Sequence, residues 1–205
     1  MPEPFPPAGD GSTTAGGEYA ARLQRLELSR WKRLLDVQRP YRWNLRRLKL
    51  GRVLDVGCGI GRNLVNLEGS GVGVDHNAES VAVARSRGLT AWTTAEFADS
   101  PDAVEAGYDA LLLAHVMEHV DADVAEAILR DYLPYLRPGG RVVFMTPQEV
   151  GYRSDSTHVR FVDAAELRRH SEAVGLKVVR SYSFPFPRPV GRVFRHNEFV
   201  VAAAR

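Results

Sequence analysis

The sequence predicts an α/β fold, a parallel sheet covered by helices on both sides. Three observations carry that prediction. Short apolar, β-branched segments alternate along the chain with stretches of helical periodicity. The first such strand, RVLDV, runs directly into a glycine-rich loop, GCGIG, and a helix-like RNLVNLE follows. The second strand, GVGVD, closes on an acid, Asp75.

Bulk composition is consistent with one globular domain. The chain has 205 residues, 44% hydrophobic and 25% charged, enough to bury a sizeable core. A net charge of +2 does not by itself argue for nucleic acid. One cysteine, Cys58, excludes an intrachain disulfide, so nothing points to an oxidising compartment. No apolar run approaches the roughly 18 residues of a membrane span. The opening MPEPFPPAGDGSTTAGG lacks a basic head followed by an apolar stretch, so a secretory signal is not expected. Rich in Pro, Gly, Ser and Thr, residues 1–17 read as a disordered tail. Residues 18–205 read as a single domain, with 18–50 a helical cap, and the expected setting is cytoplasmic.

The elements follow in order. Leu23, Leu26, Trp31, Leu34 and Leu35 recur at helical spacing from Glu18 to about Gln38. Pro40 breaks that helix and opens a second, PYRWNLRRLKL, because proline is tolerated in a first turn. After the first two strands, NAESVAVARSRG begins at Asn77, a good cap, and stops at Gly88. LTAWT is a third strand. YDALLLA is a fourth, apolar without alternation, as a strand buried on both faces should be. DADVAEAILRDYLPYLRPGG reads as a helix with a Pro-Gly-Gly exit, then RVVFMTP as a fifth strand. DAAELRRHSEAVG is a helix ended by Gly175, and LKVVRSYSF and NEFVVAAAR complete the set. The segment 147–161 is polar and irregular, as a lid or binding loop is, and offers Tyr152, Arg153 and His158. The prolines of FPFPRPVGRVFRHNE exclude a regular central strand there, and Arg188, Arg192 and Arg195 read as solubilising charges.

A glycine loop between a strand and a helix is where an open α/β sheet binds a nucleotide-like ligand, and a carboxylate ending the neighbouring strand can accept the hydroxyls of a ribose. The dinucleotide fingerprint G-x-G-x-x-G fails here, because counting from Gly57 it requires glycine where Arg62 stands. That disfavours a nicotinamide dehydrogenase. What stands instead is D-x-G-x-G-x-G: Asp55, Gly57, Gly59, Gly61. With VLDVGCGIGRNL, GVGVDHNAESVAVAR and LRPGGRVVFMTP, the chain resembles the class I S-adenosylmethionine-dependent methyltransferases over about residues 40–205. The resemblance implies a Rossmann-like three-layer sandwich whose seven-stranded sheet is mostly parallel, the last strand antiparallel. It also implies that the loop, Cys58 included, cradles the methionine part of S-adenosylmethionine, that Asp75 binds its ribose, and that His76, Ala114 and His115 line the same pocket. Many members carry an acid after the third strand. Here the segment reads TTAEFADSP, so backbone groups around Ala95 and Glu96 are expected to read the adenine edge and Phe97 to pack on the ring.

HVMEH, residues 115–119, ends the fourth strand. In the implied fold that strand lies beside the first, so the pentapeptide lies near the transferable methyl. H-x-x-E-H is also a zinc-peptidase signature, but an apolar strand feeding straight into it disfavours the long helix a peptidase needs. Three readings stay open. The side chains satisfy backbone groups at a strand end. One histidine is a general base toward an attacking hydroxyl or amine. Or His115, Glu118 and His119 join His158 around a divalent metal that polarises the acceptor oxygen. For the last, the chain is similar locally to ubiquinone-biosynthesis O-methyltransferases and small-RNA ribose methyltransferases, which carry E-x-x-E-H here with another histidine after the fifth strand. His115 in place of the first Glu favours zinc or iron over magnesium. The expectation is methyl transfer to a small molecule, at oxygen. RNA as acceptor is opposed by the modest charge and the lack of an added RNA-binding domain. A binding module that keeps the cofactor pocket without turnover is the remaining alternative.

Overall fold

The computed structural model describes residues 39–205. The tail expected at 1–17 and the helix expected from Glu18 to Gln38 lie outside the described residues. The second expected helix is α1, Arg39–Arg47, with Pro40 in its first turn. Then come β1 (Val53–Val56), α2 (Arg62–Asn66), β2 (Gly71–Asp75), α3 (Ala78–Ser86), β3 (Ala91–Thr93) and a single-turn α4 (Thr94–Phe97). β4 (Tyr108–Ala114) leads through a 3-10 turn, Met117–His119, to α5 (Ala122–Tyr132). β5 (Leu136–Pro147), α6 (Glu149–Arg153), α7 (Ala164–Ala173), β6 (Lys177–Phe184) and β7 (Glu198–Ala204) follow.

The sheet has seven strands in the order β3-β2-β1-β4-β5-β7-β6. β3, β2, β1, β4 and β5 are parallel neighbours, whereas β7 runs antiparallel to both β5 and β6. The order turns back at β1, between β2 and β4, which is where such sheets bind ligands. β4 explains its own lack of alternation. Leu111 and Leu113 pack with Leu129 and Leu167 on one face, while Ala110 and Leu112 pack with Leu45, Val143 and Val200 on the other. Leu111, Leu112 and Leu113 are all within 1% of complete burial. Each contributes about 1.5–3 kcal/mol to the core on transfer scales.

Several details depart from the sequence reading. The Pro-Gly-Gly exit is not part of the helix: α5 stops at Tyr132, a 3-10 turn covers Leu133–Tyr135, and β5 already starts at Leu136. The cause is pairing, because Leu136 sits opposite Tyr108 before an irregularity resets the register to Ala110 opposite Arg141. The irregular segment after β5 contains α6, and α4 went unpredicted altogether. Among the described residues, no helix is long and apolar enough to cross a membrane.

Candidate active site

The glycine loop is held by the two strands it joins. Gly57 and Cys58 donate their N–H groups to the Val74 carbonyl at 2.8 and 3.1 Å, and Gly59 donates to Asp75 Oδ2 at 2.7 Å. Gly57, Gly59 and Gly61 all have positive φ, at 77°, 53° and 79°. Space demands glycine as well. A Cβ on Gly57 would stand 2.3 Å from Val116 Cγ2, and one on Gly61 2.4 Å from Leu89 Cδ1. The first of these contacts places the loop directly against HVMEH. Cys58 is buried beneath the loop, and burial pushes its thiol well above the usual range.

Two acids flank the loop. Asp75, nearly buried, uses one oxygen for Gly59 and the other for the Asn77 N–H at 2.8 Å. A carboxylate has about four lone pairs, so each oxygen keeps capacity for a hydroxyl. Asp55 is fully buried, and neither of its oxygens has a hydrogen-bond partner. Burial pushes its carboxyl up to about 7, with the Asn63 amide opposing and the Asp75 charge adding to the shift. An unpartnered carboxyl behind a sterically closed glycine cradle suits a ligand that brings a cation or a donor.

The residues expected near an adenine lie together on α4. Ala95 is exposed on α4. Glu96 is the third residue of a capping box, receiving the Thr93 N–H at 2.8 Å, and it pairs with Arg85 at 2.7 Å. Those hydrogen bonds hold its carboxyl down at about 2. The Phe97 ring is buried against Tyr132 and Tyr135, with centroids 6.0 and 5.0 Å away, so it faces the core rather than the strand end. His76 is exposed beside Asp75, its Nδ1 3.5 Å from Oδ1, and Ala114 is buried at the end of β4.

HVMEH splits into two groups. His115 has a left-handed backbone, φ 60°, which ends β4 and turns its ring outward. Its Nδ1 lies 3.1 Å from Glu118 Oε1 and its Nε2 3.0 Å from Glu198 Oε1. Lost solvation opposes a charge there, yet the two carboxylates prevail and push the imidazole up to about 10. The second group is Glu118, His119 and His158, whose ligand-type atoms all lie within 4.8 Å of one another. His119 Nδ1 faces the Thr157 carbonyl at 3.1 Å, and His158 Nδ1 faces the Tyr152 carbonyl at 2.7 Å. A carbonyl only accepts, so each Nδ1 carries a proton, and in the neutral tautomer that leaves Nε2 as the lone-pair atom. Glu118 is fully buried, and its Oε2 has no partner. Its carboxyl lies below the ordinary value because hydrogen bonding to His115 and the nearby histidines outweigh burial. Desolvation holds His119 below the ordinary imidazole value. Both features suit a cation among the three side chains. His115 stands outside that set, both its nitrogens being engaged elsewhere.

Tyr152, expected to face an acceptor, is turned inward and stacks on His158 at 5.4 Å between centroids. Arg153, Arg192 and Arg195 are exposed, while Arg188 pairs with Glu149 and lies over Phe199. Glu198 was not foreseen. It starts β7 and pairs with Pro147 at the end of β5, so the antiparallel strand delivers an acid to the edge where the parallel strands finish.

This sheet order, with a closed glycine cradle after β1 and an acid ending β2, defines a Rossmann-like methyltransferase. A methyltransferase-domain family matches residues 18–181, and the chain belongs to that family. It is 27% identical over 173 residues to a ubiquinone biosynthesis O-methyltransferase of Aeromonas salmonicida (strain A449), the match covering 70% of each chain. Among solved structures it is similar to a SAM-dependent methyltransferase from Archaeoglobus fulgidus, with a TM-score of 0.63 and 18% identity, covering 84% of this chain and 99% of that one. It is also similar to a magnesium protoporphyrin IX methyltransferase from Synechocystis PCC 6803 with bound SAH, at a TM-score of 0.65 and 15% identity, covering 94% and 97%. Family and fold agree on a class I S-adenosylmethionine-dependent methyltransferase.

Proposed function

We propose that this methyltransferase moves the methyl group of S-adenosylmethionine to an oxygen of a small-molecule acceptor, and that Glu118, His119 and His158 prepare that oxygen. The observation that carries the reading is the contact between the two halves of the site: the Val116 side chain fills the space that a Cβ on Gly57 would take, so cofactor loop and acceptor-side group share one wall. The likeness to an O-methyltransferase of ubiquinone biosynthesis supports a small acceptor and an oxygen target.

Asp55, Gly57, Gly59 and Gly61 would hold the methionine portion, Asp55 offering its unpartnered carboxyl toward the ammonium. The remaining lone pairs of Asp75 would take the ribose hydroxyls. The sulfonium is already activated, so the chain's main work is to bring nucleophile, methyl and sulfur into line and exclude water. Glu118, His119 and His158 would offer one carboxylate and two imidazoles, a donor set that suits zinc or iron better than magnesium. These three side chains would hold a divalent cation, which would supply Lewis acidity toward the acceptor oxygen. His115, between Glu118 and Glu198, would fix Glu118 through Oε1 and leave Oε2 available.

The test is incubation with methyl-labelled S-adenosylmethionine and a cell metabolite extract, with and without chelator. Label is expected in the small-molecule fraction, at a rate that falls at least about tenfold on chelation and returns with zinc. His119→Ala and His158→Ala are each expected to lose activity while keeping affinity for S-adenosylhomocysteine. Label entering RNA instead would move the acceptor to nucleic acid. A rate indifferent to chelation, with both histidine variants fully active, would remove the metal and the base together.

A further inference from the structure

His119 and His158 come from segments that share no element. His119 lies on the turn after β4, and His158 follows α6. Their rings are nonetheless 4.7 Å apart between centroids. The ties that join the two segments are few. Val159 and Arg160 donate their N–H groups to the Glu118 carbonyl at 2.9 and 3.3 Å, and His119 Nδ1 faces Thr157 O. The charged side chain of Arg160 spans the junction. Arg160 Nε donates to the Val120 carbonyl at 2.7 Å, while its Nη1 pairs with Glu166 on α7. Glu166 is itself placed by the helix cap, its N–H donating to Asp163 Oδ1 at 2.9 Å.

We infer that Arg160 is a positioning residue for the acceptor-side group, clamping the His158 segment onto the Glu118–His119 turn and anchoring that clamp to α7 through Glu166. The inference rests on the proposed role of Glu118, His119 and His158. The chemistry explains why the residue is arginine. Its side chain is only 16% exposed, so the guanidinium is held largely out of water. A planar fork sends one donor to a carbonyl and another to a carboxylate at a fixed angle, and a lysine ammonium at the end of a flexible stem does not reproduce it. Residues that orient metal-type ligands from outside the donor set commonly change cation affinity 10–100-fold when removed.

The experiment compares wild type with Arg160→Lys and Glu166→Gln, using Co²⁺ as probe and S-adenosylhomocysteine as control. Co²⁺ affinity is expected to fall about 10-fold or more in Arg160→Lys and less in Glu166→Gln, with S-adenosylhomocysteine affinity unchanged. A purely structural role would lower the melting temperature without moving Co²⁺ affinity in the folded protein. Amide hydrogen exchange at Val159 gives a readout that needs no cation, and it is expected to accelerate about tenfold in Arg160→Lys. If wild type binds Co²⁺ and Arg160→Lys binds it equally well, the clamp is overturned. If wild type takes up no Co²⁺, the metal reading fails, and Val159 exchange decides the clamp: acceleration upholds it, and unchanged exchange overturns it.

Discussion

Asp55 and Gly57 are single residues whose local environments set a cost in stability. Asp55 ionises at about 7 in the folded chain, against about 3.9 for an ordinary Asp. Between those values the native state holds more protons than the unfolded state, so this residue makes stability fall as pH rises from about 4 to about 7, after which its effect is level. Asp55→Asn is expected to be more stable than wild type at about pH 8, by at most about 4 kcal/mol, and to show no such gain near pH 4. Denaturant unfolding at the two pH values reads this, and the same variant should bind S-adenosylhomocysteine more weakly. Gly57→Ala meets a different obstacle, a φ of 77° together with a methyl 2.3 Å from Val116. A cost of about 1–3 kcal/mol is expected, with affinity for S-adenosylhomocysteine lowered at least about tenfold by calorimetry. The left-handed backbone of these glycines was legible from their spacing alone, because positive φ is a property of the local chain. Burial of Asp55 was not, since the neighbours that exclude water are distant in sequence.

Elements account for the main misreadings. α4 is a single turn, too short for periodicity to reveal, and its only local signal is the T-x-x-E spacing from Thr93 to Glu96. That capping box engages the Glu96 carboxylate and N–H with Thr93. Thr93→Ala is expected to cost about 1 kcal/mol in thermal unfolding at neutral pH. The Glu96 carboxylate is held at about 2 in the fold, so its contribution is present above the ordinary glutamate range and is lost as pH falls from about 4.3 toward 2. β5 begins earlier than its apolar run because Leu136 pairs across to Tyr108. Pro-Gly-Gly looked like a helix exit in the linear sequence, and pairing with β4 overrode that signal.

For the molecule as a whole, β4 is the axis. It pairs with β1 and β5, its residues alternate between the two apolar layers, and its end delivers HVMEH. Leu112→Ala is expected to cost about 2–5 kcal/mol in denaturant unfolding, because Leu112 is completely buried in the layer shared with α1 and β7. Global topology also explains Glu198. An acid opening an ordinary strand carries no signal, but an antiparallel β7 begins where β5 ends, so its first residue arrives beside His115.

Local patterns decided the alternation of strands and helices, the glycine cradle and the acid that ends β2, because each depends on backbone conformation or on neighbours a few residues away. Tertiary structure alone decided which HVMEH side chains converge. It sent His115 to Glu118 and Glu198, and brought His158 across from a separate segment to His119 and Glu118. Spacing along a chain specifies which face a residue occupies. Only the packing of distant segments specifies what waits opposite.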